Sequence, residues 1–94
     1  MSTFLMFGKY SAGAIKEVSP ARTQQAVDLI KKQGVQVKAM FACLGEVDLV
    51  LVLELPGIAE ALKVSVALGK QTGIAFTTAP AVTVEEFDRL IAQV

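Results

Sequence analysis

The side chains that could do chemistry in this 94-residue chain are few, and histidine is absent. Without imidazole the chain has no usual ligand for haem, no Ser-His pair and no ordinary general base at neutral pH. Its single cysteine, Cys43, cannot build a thiolate cage for a metal, and no histidine can activate it as a nucleophile. We therefore expect no metal, no cofactor and a buried, inert thiol at Cys43.

The remaining charged candidates, Lys9 and Asp48, are brought together by a single strand register. If the first and third strands are antiparallel neighbours, pairing Thr3 with Glu54 also pairs Lys9 with Asp48 on one face of the sheet. A two-residue type II′ turn at Gly45 and Glu46 would continue this register into the second strand. It would pair Cys43 with Asp48 and Phe41 with Val50 on the same face. The predicted site consists of Lys9, Asp48, Cys43, Phe7, Phe41 and Val50.

Two interpretations of this site remain open. In the first, apolar walls and a charged pair orient a small, largely apolar ligand in a pocket between two sheets. In the second, Lys9 and Asp48 form a cross-strand ion pair that fixes the register at the rim of a dimer interface, which is the simpler reading. Tyr10 falls on the opposite parity and is expected to be a core or edge aromatic.

The elements that must position these residues are strands with two apolar faces. Between residues 48 and 55, leucines occupy one parity while Val50 and Val52 occupy the other. Helical signals begin at Ser19 and Pro20 and recur over Ile58–Gln71, and a capping box at Thr83 opens a last helix. The predicted strands are Thr3–Tyr10, Val35–Leu44, Val47–Leu55 and Ile74–Val82.

This order predicts an α+β, ferredoxin-like βαββαβ fold with a C-terminal helix and a four-stranded antiparallel sheet. Two right-handed crossovers place both main helices on one side of the sheet, so its second face is left bare. Because that face is also apolar, we expect a second copy of the chain to close it. We expect one domain over residues 1–94.

Composition narrows the classes of partner. Nine basic and nine acidic residues leave no net charge, so the field that draws proteins to nucleic acids or anionic membranes is absent. The sequence has no signal peptide pattern and no apolar run of membrane-spanning length. We expect a cytoplasmic homodimer or larger homo-oligomer that binds neither nucleic acid nor membrane.

Four short motifs, spread over essentially the whole chain, resemble the GYD domain family. They are Phe7–Tyr10, Leu44–Asp48, Ala67–Gly69 and Thr83–Phe87. The resemblance implies a dimeric α/β-barrel protein, a small ferredoxin-like domain that pairs through its sheet, and it implies no established activity. The family's namesake tyrosine is replaced here by Val47.

Two functional hypotheses follow. The first is a small homo-oligomeric binding or interaction module, whose inter-sheet space is filled or holds a small apolar ligand. The second is a cofactor-free enzyme, similar to a monooxygenase or isomerase, acting on a small aromatic substrate, and it rests on fold analogy alone. The missing histidine and the replaced motif tyrosine favour the first hypothesis.

Overall fold

A computed structural model describes all 94 residues and confirms the predicted α+β architecture. Four strands and four helices follow one another in the order β-α-α-β-β-α-β-α. The elements are β1 (Ser2–Lys9), α1 (Ala12–Lys16), α2 (Pro20–Lys32), β2 (Gln36–Ala42), β3 (Leu49–Leu55), α3 (Ile58–Thr72), β4 (Ala75–Ala81) and α4 (Val84–Ile91). Strand β1 keeps its predicted length but begins and ends one residue earlier, and β2, β3 and β4 are shorter than the sequence predicts by two or three residues in all.

The sheet is antiparallel throughout, with strand order β2-β3-β1-β4. The predicted register between β1 and β3 is confirmed, because Thr3 pairs with Glu54 and Phe7 pairs with Val50. On one face the leucines of β3 meet α2 and α3, and this face forms the core. The core cluster comprises Phe4, Met6, Ile30, Val35, Leu51, Leu53, Leu55, Ala61, Val64 and Leu68.

Helix boundaries follow the capping signals. The Ser19 hydroxyl accepts from the Arg22 backbone N–H at the start of α2, and Gly34 follows its end at φ +75°. In α3 the buried stripe is Ala61, Val64 and Leu68. Leu62 and Val66 of the same helix lie outside this stripe, and both are more than half exposed.

The hairpin between β2 and β3 is wider than predicted. Phe41 pairs with Val50 as expected, and the Cys43 N–H donates to the Asp48 carbonyl oxygen at 2.8 Å. No hydrogen bond continues that ladder to a two-residue turn, so the type II′ turn at Gly45 and Glu46 is incorrect. The loop tip lies in solvent, where no packing selects the tightest connection.

The two edge strands each carry an irregularity. The register of β2 against β3 shifts between Val37 and Ala39, so Lys38 is the extra residue of a β-bulge. The other edge strand, β4, contains Pro80, which lacks a backbone N–H and is tolerated on an edge strand, where one side of the backbone has no partner strand.

The last helix, α4, projects from the end of β4 and buries none of its residues. Its Thr83 cap accepts from the Glu86 N–H at 3.1 Å, and Arg89 forms ion pairs with Glu85 and Glu86. One side of this helix is an exposed apolar stripe that includes Phe87 and Ile91. The longest helix of the chain, α3, has 15 residues, fewer than the roughly 20 needed to cross a bilayer.

Candidate functional site

The face of the sheet opposite the helices, here called the open face, is an apolar surface built from two complete rows across all four strands. Side chains in one row share a face because directly paired residues point to the same face, whereas successive residues along a strand point to opposite faces. The open face consists of Phe41, Val50, Phe7 and Thr77 in one row and Ala39, Val52, Leu5 and Ala79 in the next.

The open face is uncovered by any part of the same chain. Leu5, Phe7, Val50 and Val52 are half-buried by their neighbours in the sheet, and Phe41 on the edge strand is 58% exposed. At one end the surface becomes polar, because the Thr3 hydroxyl donates to the Glu54 carboxylate at 3.3 Å. An apolar centre with a polar margin is the composition of a protein interface.

At the opposite end, the predicted ion pair between Lys9 and Asp48 is not formed. The ladder between β1 and β3 ends at Gly8, one residue before Lys9. The Asp48 carboxylate accepts instead from the backbone N–H of Tyr10 at 2.9 Å, and the Asp48 N–H donates to the Gly8 carbonyl at 2.9 Å. Both salt bridges of the chain lie on α4, so the Lys9 ammonium has no carboxylate partner.

Cys43 lies beside Asp48, but its thiol is half-buried rather than buried. Its Sγ lies 3.9 Å from the carbonyl oxygen of Phe41. The structure therefore brings Cys43 and Asp48 together near the end of β1, while Phe7, Phe41 and Val50 form a row beside them. No cluster of three or more potential metal-ligating side chains occurs in the chain.

A second surface, which the sequence did not reveal, is a cleft of about 340 Å³ on the helix-covered side of the sheet. It lies where α1 and the start of α2 cover the sheet end. Its residues are Tyr10, Ala14, Glu17, Val18, Ser19, Arg22, Thr23, Ala26, Met40, Phe41, Ala42, Leu49, Thr72 and Ile74. Phe41 is the one predicted site residue at its border.

Most polar groups of this cleft are already satisfied. The hydroxyls of Ser19, Thr23 and Thr72 bond to nearby backbone groups. Arg22 donates once, from a terminal guanidinium nitrogen to the carbonyl oxygen of Gln71 at 3.2 Å. The Tyr10 hydroxyl makes no hydrogen bond within the chain, and Tyr10 is one of the residues that border the cleft.

Comparison with known proteins gives a family and a fold. The GYD domain family model matches residues 4–91. A search of curated protein sequences gave no match. Among solved structures, the chain is similar to the leucine response regulatory protein of Mycobacterium tuberculosis, with a TM-score of 0.58 and 7% sequence identity. The alignment covers 87% of this chain and 51% of that protein, so the chain spans about half its length, and the likeness is one of fold.

Proposed function

From the premise that the chain belongs to the GYD domain family, we propose that it is a small ferredoxin-like interaction module whose partner is a second copy of itself. The observation that carries the proposal is the open face, with two apolar rows and a polar margin at Thr3 and Glu54. Left in water, such a continuous apolar patch is unfavourable and is typical of an interaction site.

A second copy is the occupant that this surface fits best. The open face carries no charged side chain in its two central rows, so it has no feature that would select a charged partner. A flat sheet face is also complementary to itself, since two such faces pack about 10 Å apart with their side chains interleaved. We expect the paired faces to bury about 1,500 Å² in total.

Val50→Asp tests the proposal. Val50 lies between Phe7 and Phe41 in the central row, so the substitution places a carboxylate in the middle of the paired faces, where it would lose its water without gaining a partner. Sedimentation velocity should show a wild-type dimer and a Val50→Asp monomer, with helix content unchanged by circular dichroism.

Val66→Asp is the matched control. It makes the same change at a valine that is 56% exposed on α3, on the helix-covered side of the molecule. This variant should sediment as the dimer does. A monodisperse wild-type monomer, or a dimer that survives Val50→Asp, would contradict the proposal.

The proposal includes the space between the paired sheets, which is filled by side chains or holds a small apolar ligand. Lys9 supports the second possibility, because its ammonium group has no carboxylate partner and follows directly after the open face. Asp48 and Cys43 would lie at the same end of that space. A ligand held there should raise the melting temperature of the wild-type dimer and leave the Val50→Asp monomer unchanged.

A further inference from the structure

We propose that the cleft beneath α1 and α2 binds a small, largely apolar molecule that carries one anionic group. This site lies on the helix-covered side of the sheet and shares only Phe41 with the open face, so we expect it to be independent of self-association. The proposal rests on the shape of the cleft, on its apolar walls and on two polar groups that have bonding capacity left.

The shape comes from small side chains at positions where larger ones would fill the space. Ala14 on α1, Ala26 on α2 and Ala42 on β2 all border the cleft. Around them stand larger apolar residues, such as Met40 and Ile74, which form its walls. At about 340 Å³ the cleft has the size of a small-molecule site, and apolar walls left without contacts are unfavourable.

The two polar groups define the chemistry of the ligand. Arg22 is half-buried, and one of its N–H groups donates a hydrogen bond to the Gln71 carbonyl oxygen. This bond holds the guanidinium in place, and its other N–H groups remain available to a ligand. Tyr10 borders the same cleft, and its hydroxyl is open to solvent and makes no hydrogen bond within the chain. A carboxylate can accept from a guanidinium and from a hydroxyl together, so the pair favours an anionic group.

One acidic residue, Glu17, also borders the cleft. It is exposed, whereas Arg22 is half-buried, so water screens the carboxylate more than the guanidinium. We therefore expect the cation to decide the charge of the ligand. If Glu17 dominated instead, the cleft would select a cationic molecule, and the experiment below separates the two.

The test uses three probes with one apolar body: 1-naphthoate, 1-naphthylmethanol and 1-naphthylmethylamine. Calorimetric titration of the full chain should show saturable binding in the order anion, neutral alcohol, amine. Arg22→Met keeps an unbranched apolar stem and removes the guanidinium group, so it should weaken 1-naphthoate binding about tenfold and change binding of the alcohol little. Tyr10→Phe, which removes only the hydroxyl, should weaken 1-naphthoate binding by a smaller factor.

Ala26→Leu fills the cleft and should abolish binding of all three probes, and Ala21→Leu is the matched control. Ala21 lies on the same helix but is exposed and outside the cleft, so this variant should bind as the wild type does. Circular dichroism checks that both variants fold, and if Ala26→Leu does not fold, Arg22→Met and Tyr10→Phe carry the test.

Four results would overturn the assignment. They are no saturable binding of any probe at 1 mM concentration (about the weakest affinity that calorimetry resolves), tightest binding by the amine, full binding by a folded Ala26→Leu variant, and loss of 1-naphthoate binding in the Val50→Asp monomer. The last result would place the ligand between paired sheets. Because Val50 is not part of the cleft, unchanged binding by that monomer supports the cleft whatever the oligomeric state of the wild type.

Discussion

Gly8→Ala should destabilise the fold even though glycine is an unfavourable residue in a strand. Gly8 is buried in β1 on the core side of the sheet, opposite Phe76 of β4. A Cβ atom added at Gly8 would lie 2.8 Å from Cε1 of Phe76 and 3.1 Å from Cγ2 of Ile74. These distances are well inside van der Waals contact, so the ring of Phe76 occupies the space that an alanine would need.

Two effects of opposite sign decide the magnitude. Replacing glycine restricts the unfolded chain and stabilises the fold by about 0.4 to 1 kcal/mol where the backbone permits it. Overpacking a well-filled site costs about 1 to 3 kcal/mol. The second effect is the larger, so we expect a net loss of about 1 kcal/mol, which for a domain of this size lowers the melting temperature by about 4 to 8 °C.

The assay is urea and thermal unfolding followed by circular dichroism, with Gly13→Ala as the matched control. A Cβ at Gly13 meets no atom within 4 Å, and Gly13 lies inside α1, so that variant should gain about 0.5 to 1 kcal/mol. Combining Gly8→Ala with Phe76→Leu removes the clashing ring, so the double variant should lose less than the sum of the two single changes. A Gly8→Ala protein at least as stable as the wild type, or strict additivity with Phe76→Leu, would refute the reasoning.

Three further predictions concern bonds and helix packing. Asp48→Ala removes the acceptor of the Tyr10 N–H and should lower the free energy of unfolding in urea by about 1 kcal/mol. Lys9→Gln should change that free energy by less than about 0.5 kcal/mol. Equal losses in the two variants would instead indicate an ion pair between Lys9 and Asp48. Ser65→Ala should cost about 1 kcal/mol, because it breaks the 2.7 Å bond to the Thr78 hydroxyl, and adding Thr78→Val should recover part of the loss. In the Val50→Asp variant the backbone amides of α4 should exchange with solvent far faster than those of β1. The reason is that an eight-residue helix without buried residues is only marginally stable in water. Equal protection of the α4 and β1 amides would show that α4 packs against the rest of the chain.

The sheet could be predicted from the sequence because strand parity leaves little freedom. A slip of one residue in β3 would exchange its leucines for Val50, Val52 and the charged Glu54 on the core side, so the hydrophobic pattern fixes the register with β1. Capping residues such as Ser19 fixed helix starts for a similar reason, since their side chains satisfy specific backbone donors.

The sequence could not predict which of two neighbouring groups bonds to the Asp48 carboxylate, or where packing of the helices leaves a cleft. Sequence spacing placed Lys9 opposite Asp48, but the carboxylate bonds to the Tyr10 backbone N–H instead, and no pattern in the sequence distinguishes the two partners. The cleft is a product of three alanines on three separate elements, so it exists only after α1 has packed. Tyr10 was the available signal, as a polar aromatic directly after β1 with the parity of the core-facing residues.

The irregular edges of the sheet bear on how many copies can assemble. A regular edge strand has free backbone N–H and C=O groups that can pair with a strand of another chain. When each added chain exposes a new edge, this pairing can repeat and build a fibril. Here the bulge at Lys38 distorts one border, and Pro80 removes a donor from the other. Two copies stacked face to face would use the same surface on both, related by a two-fold axis, and would leave neither open face free for a third copy. If the chain self-associates as proposed, these borders would favour a finite, closed assembly over lateral growth.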